Sequence, residues 1–142
     1  MERPVPEGAE ALERDGFDVV SLSLVVNYVG DAAGRGEMLR RVGKFLRRRG
    51  GGHGDARLEE RLPALFLVLP APCVLNSRYL DEERLEAMME SLGYVLKERK
   101  MSRKLAYYLW RFEGPDKGRR KVWKKKELKA GGPRNNFAIV LQ

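Results

Sequence analysis

Asn27 and Tyr28 are adjacent side chains placed directly after an almost wholly apolar run, Phe17–Val26. If that run is a strand, the pair stands at its carboxyl end, where open α/β sheets bind their ligands. An Asn amide carries a donor and an acceptor and can read the edge of a nucleobase. A Tyr face can stack on a base that has left its duplex or loop. The plainer reading has Asn27 capping a turn and Tyr28 packing under the next helix. A second cluster follows the next apolar run: Pro70-Ala71-Pro72-Cys73, then Asn76, Ser77, Arg78 and Tyr79. Arg78 could hold a phosphate and Tyr79 could stack; a rigid proline turn with a surface arginine is the alternative. Two such loops on one sheet edge would form a wall of a pocket.

A third group is basic. Lys117, Arg119, Arg120, Lys121, Lys124, Lys125, Lys126 and Lys129 surround Trp123. Cations around an aromatic suit RNA, where phosphate contacts supply affinity and the ring stacks on an unpaired base. The same residues serve equally as a nuclear-targeting stretch or as a solvated loop. Cys73 has no partner base, and His53 lies in a glycine loop, so a nucleophilic triad is not indicated. Gly34-Arg35-Gly36 lacks the third glycine of a dinucleotide turn, with Leu39 in its place, and reads as a helix start. No Cys or His cluster has metal-ligand spacing.

These groups need elements to position them. Phe17–Val26 reads as a strand buried on both faces. Asn27, Tyr28, Gly30 and Asp31 break it. From Arg35 the period becomes helical, with Met38, Leu39, Val42, Phe45 and Leu46 on one face and Arg40, Arg41, Lys44, Arg47 and Arg48 opposite, to about Arg49. Gly50–Gly54 ends that helix, and Asp55–Leu62 reads as a charged surface insertion. Ala64–Leu69 is the second strand, closed by Pro70. Asp81 caps the next helix, Leu85, Met88, Met89 and Leu92 form its buried stripe, and Gly93 ends it. Tyr94–Lys100 reads as a strand near the sheet edge. Ser102–Phe112 fits a short helix through Leu105, Tyr108, Leu109 and Phe112, although its aromatic content also fits a strand. Residues 113–130 form a basic loop, and Asn136–Leu141 closes the chain as a strand. The pattern predicts alternating strands and helices with parallel pairing.

The chain has 142 residues, a net charge of +8 and one cysteine. That length is one domain or less, and a hydrophobic fraction of 43% is enough for a core. The charge favours polyanionic partners. A lone Cys73 excludes an internal disulfide and suits a reducing compartment. No apolar run approaches the roughly 20 residues of a membrane helix, and Met1–Asp15 does not resemble a signal peptide. An intracellular, soluble protein without membrane association is expected.

Three blocks in order carry a resemblance: FDVVSLSLVVNYVGDAAGRGEMLRR from Phe17, LFLVLPAPCVLNSRY from Leu65, and GGPRNNFAIVL from Gly131. The chain resembles the fungal nucleolar 25S rRNA adenine-N1 methyltransferases, whose animal relative senses S-adenosylmethionine. The resemblance implies the C-terminal half of a Rossmann-like class I methyltransferase sheet with flanking helices. It divides the chain into a lead-in, residues 1–16, and a partial methyltransferase domain, residues 17–142. It also implies S-adenosyl-L-methionine as cofactor, ribosomal RNA or a pre-ribosome as partner, and a nucleolar location. Asn27 and Tyr28 stand where such enzymes hold the target base. Arg78, Tyr79, Lys121, Trp123, Lys124, Lys125 and Lys126 then become RNA contacts. The family's glycine-rich turn and its acidic residue are expected before Met1, so cofactor binding by this chain alone is not expected. Self-association through an unpaired edge of the first strand is expected. A non-catalytic S-adenosylmethionine-sensing or RNA-binding module is the alternative.

Overall fold

The computed structural model describes residues 16–47, 60–114 and 121–142. Two apolar runs become parallel neighbours: β1 (Val19–Ser23) pairs with β2 (Ala64–Pro70), Val20 opposite Leu65 and Leu22 opposite Leu67. β1 is shorter than the apolar run from which it comes. Leu24 sits at φ 58°, outside the β region, and its amide makes a last bond to the Val68 carbonyl at 3.0 Å. A 3-10 turn over Val26–Tyr28 follows. β1 is therefore not buried on both faces. It is an edge strand with Val20 and Leu22 half-buried and Val19, Ser21 and Ser23 exposed.

α1 (Ala32–Val42) starts where Asp31 accepts a bond from the Gly34 amide at 3.1 Å, and it buries Leu39 and Val42. It ends at Val42, so Phe45 and Leu46 lie beyond it. α2 (Pro72–Leu75) is a short helix within the expected proline loop. α3 (Glu82–Ser91) is capped by Asp81, whose carboxylate accepts from the Arg84 amide at 2.7 Å. Leu85, Met88 and Met89 are its buried stripe. Gly93 has φ 97°, and a Cβ there would stand 2.0 Å from the Gly114 carbonyl oxygen, so glycine is required.

The sheet order is β1-β2-β4-β3, with β3 (Tyr94–Met101) at the far edge as expected. β4 (Leu105–Phe112) corrects the helix expected over that stretch. Its buried residues alternate: Ala106, Tyr108, Trp110 and Phe112 face the core, while Leu105, Tyr107, Leu109 and Arg111 are half-buried. That period of two fills both neighbours' ladders. β4 runs antiparallel to both β2 and β3, so the all-parallel expectation is corrected as well. Asn136–Leu141 is not a sheet strand. Its backbone bonds to the first turn of α1, Val140 N–H to Ala32 O, and to the Trp123 segment through Leu141, while Phe137, Ile139 and Leu141 enter the core.

Trp110, Tyr94 and Tyr108 are the largest fully buried side chains. Tyr94 Oη donates to the Leu39 carbonyl at 3.2 Å, tying β3 to α1, and Tyr108 Oη donates to Glu82 Oε1 at 2.9 Å. Met1–Asp15, the glycine loop 50–54, most of 55–62, and Lys117, Arg119 and Arg120 lie outside the described residues. No helix among the described residues is long and apolar enough to cross a membrane.

Candidate functional site

β1 and β2 run in the same direction, so the segments after Ser23 and Pro70 meet at one sheet edge. At the first, Val26 is fully buried and anchors the 3-10 turn. That anchor holds Asn27 half-buried, with Oδ1 shielded from solvent and without a hydrogen-bond partner among the described residues. Tyr28 is 82% exposed. At the second, Pro72 opens α2, where a missing amide costs nothing. Cys73 and Val74 point inward. Ser77 is buried, donates to the Phe137 carbonyl at 2.5 Å and accepts from the Tyr79 amide at 3.1 Å.

A third segment, 131–141, laces these two loops together. Arg35 Nε donates to Val29 O at 2.9 Å and Nη1 to Ala138 O at 2.8 Å, with the guanidinium 4.4 Å from the Phe137 ring centre. Asn76 Nδ2 donates to Pro133 O at 3.1 Å, and Asn135 Nδ2 returns a bond to Pro72 O at 2.8 Å. α1 meets this segment so closely that a Cβ on Gly36 would stand 1.9 Å from the Val140 carbonyl oxygen. Burial pushes the Cys73 thiol up from its ordinary 9.0, opposed by the nearby Arg35 charge. A buried, protonated thiol is a poor nucleophile.

Asn27, Tyr28, Arg78 and Tyr79 thus share one edge. Arg78 is a strut there: Nη1 donates to Asn136 Oδ1 at 2.5 Å, and Nη2 donates to Gly131 O at 3.1 Å and to Gly132 O at 2.9 Å. Lys125 reaches the edge, its Nζ 4.2 Å from the centre of the Tyr79 ring. Trp123 lies against α3 instead, half-buried, with Nε1 donating to Ser91 Oγ at 3.0 Å. Arg84 and Lys121 both approach its ring, at 5.1 and 4.3 Å. Lys124 and Lys126 are exposed. Sequence reasoning missed Arg35, Asn135 and Phe137 as parts of the site. The string GGPRNNF was a signal, but residue types alone gave it no partner.

A profile of the family described as Bmt2, 25S rRNA (adenine(2142)-N(1))-methyltransferase, matches residues 1–139. A Schizosaccharomyces pombe protein named 25S rRNA adenine-N(1) methyltransferase is 37% identical over 124 residues, covering 87% of this chain and 42% of its own length. A Saccharomyces cerevisiae protein named 25S rRNA (adenine(2142)-N(1))-methyltransferase is 34% identical over 141 residues, covering 99% of this chain and 37% of its own length. The chain spans about two fifths of the length of these curated relatives.

Proposed function

The chain belongs to the Bmt2 family of 25S rRNA (adenine(2142)-N(1))-methyltransferases, and from that membership we propose that it forms the target-base wall of a site where an adenine of large-subunit rRNA is methylated at N1. The observation that carries this reading is the Asn27 side-chain oxygen Oδ1, shielded and without a donor among the described residues, beside an exposed Tyr28. Oδ1 is closed to solvent in this conformation, so the side chain must turn outward to meet the base. A buried acceptor without a donor is costly, which favours that turn toward the exocyclic amine of adenine, a donor adjacent to N1. Tyr28 offers an open face for the base to stack on. N1 carries its lone pair in the neutral base, so no residue has to remove a proton. The work left to the protein is to orient the base and exclude water. The laced loops suit that work because Arg35 and Arg78 hold them in place.

S-adenosylmethionine is the methyl donor implied by the relatives' names in general, and the described residues do not fit it. No GxGxxG turn follows β1 or β2 among them, and Asp31, the carboxylate nearest Asn27 in sequence, is engaged with the Gly34 amide. We assign this chain the acceptor side alone. Lys124, Lys125 and Lys126 serve as phosphate contacts, while Arg78, Trp123 and Lys121 brace the fold around them. A nucleolar location and pre-ribosomal rRNA as partner belong to the same reading.

The test is binding of a labelled single-stranded RNA carrying one adenine. Tyr28→Ala should lower affinity about fivefold to a hundredfold, the range of a lost base–aromatic stack, with the salt dependence unchanged because no cation is removed. Unaltered affinity in that variant would contradict the assignment.

A further inference from the structure

We propose that the turn between β3 and β4, with the end of β3 that leads into it, is a second RNA-contacting element, in which Lys100, Arg103 and Lys104 hold phosphates of the single strand that flanks the target base. The proposal rests on the RNA reading above and adds a surface to it. β4 runs antiparallel to β2, with Leu105 opposite Pro70, which returns the turn to the end of the sheet that carries Asn27. The Ala71 amide donates to the Lys104 carbonyl at 2.8 Å, fixing the turn against the start of the second loop. The turn is already ordered: the Ser102 amide donates to the Leu105 carbonyl at 2.9 Å, and Ser102 Oγ accepts from the Leu105 amide at 3.1 Å. RNA would not have to immobilise this backbone on binding.

Charge selects the partner. Residues 97–104, KERKMSRK, hold five cations and one carboxylate. Glu98 is paired with Arg61 at 2.6 Å, and Arg99 is paired with Glu82 at 3.4 Å. Lys100, Arg103 and Lys104 are exposed and make no ion pair among the described residues. Three unpaired like charges in five residues repel one another, and a polyanion relieves that repulsion. Lys100 stands opposite Tyr107 in the ladder, and the Tyr107 ring stacks against Phe66 with centroids 6.4 Å apart. These three line a groove of about 400 Å³ on the sheet face. A cation beside an aromatic at the mouth of a groove suits an unpaired nucleotide.

The test uses the full 142-residue chain and a fluorescein-labelled, adenine-containing single-stranded RNA, titrated at several salt concentrations. Replacing Lys100, Arg103 and Lys104 with Ala together should weaken binding at least about tenfold and flatten the log–log salt slope by about 2, since each single-strand phosphate contact contributes roughly 0.7. Circular dichroism of the variant checks that the fold is retained. A second measurement replaces a uridine beside the adenine with 5-iodouridine, which crosslinks to aromatic side chains under light; the crosslink should fall on the peptide containing Tyr107. Unchanged affinity and slope in the triple variant, or crosslinks confined to other peptides, would overturn this proposal and leave the target-base reading standing. Failure of the unaltered chain to bind the RNA in a salt-dependent way would overturn both. Loss of an acidic peptide's binding without loss of RNA binding would reassign the turn to a protein partner.

Discussion

Arg35 bonds to both sides of the site, to Val29 in the first loop and to Ala138 in the closing segment, and it covers the Phe137 ring. Two charge-assisted bonds in a part-buried setting, plus the ring contact, amount to about 2–4 kcal/mol. Arg35→Lys should lose most of that, because one ammonium cannot fork between two carbonyls; urea unfolding reads it as a lowered midpoint. A midpoint within error of the unaltered chain would show that the lacing does not depend on Arg35. Cys73 gives the pH dependence. Its folded thiol value is raised by burial, so its contribution to stability is complete below its ordinary value of about 9 and is lost as pH rises through the folded value. Tyr94 and Tyr108 are raised too, and their contributions begin to fall only above about 10. Between about pH 9 and 10 the unaltered chain should therefore lose stability faster than Cys73→Ala does. Parallel curves for the two would contradict this.

At the scale of elements, β1 presents one edge with no partner strand among the described residues, and Val19 on it is 52% exposed. An unpaired edge with apolar side chains templates association. Light scattering should show mass rising with concentration, and Ser21→Lys, an exposed charge on that strand, should suppress the rise. A monomer at all concentrations would contradict this. The elements also show what a sequence carries. β2 was legible because its apolar run is unbroken and closed by prolines, and α3 because Asp81 and Gly93 mark its ends. β4 was missed for two physical reasons. Leu105, Tyr108, Leu109 and Phe112 satisfy a helical stripe as well as Ala106, Tyr108, Trp110 and Phe112 satisfy an alternation. The turn that reverses the chain, Ser102–Lys104, has no Gly, Asn or Pro to announce it. Missing that reversal also hid the arrival of Arg103 and Lys104 at the site edge.

For the whole molecule, the position of the candidate site was legible but its construction was not. Asn27 and Tyr28 follow from the end of an apolar run, a local feature. The lacing depends on contacts such as Arg35 to Ala138, 103 residues apart in sequence, and no local pattern encodes them. Under the proposed function this chain supplies the acceptor side alone, so calorimetric titration of the 142-residue chain with S-adenosylmethionine should give no measurable binding heat. Micromolar affinity would place a cradle on this chain and reverse the assignment.

Whether Asn27 reads the amine of a target adenine is decided by a double-mutant cycle in which the second mutation is in the RNA. Two single-stranded RNAs are compared, identical except that one carries adenine and the other purine, which lacks the exocyclic amine. The unaltered chain should favour adenine by roughly 0.5–1.5 kcal/mol, about two- to tenfold in Kd, the net worth of one hydrogen bond to a shielded acceptor. Asn27→Ala should bind both RNAs equally. Equal affinity of the unaltered chain for the two RNAs, or a preference that survives Asn27→Ala, would contradict the claim.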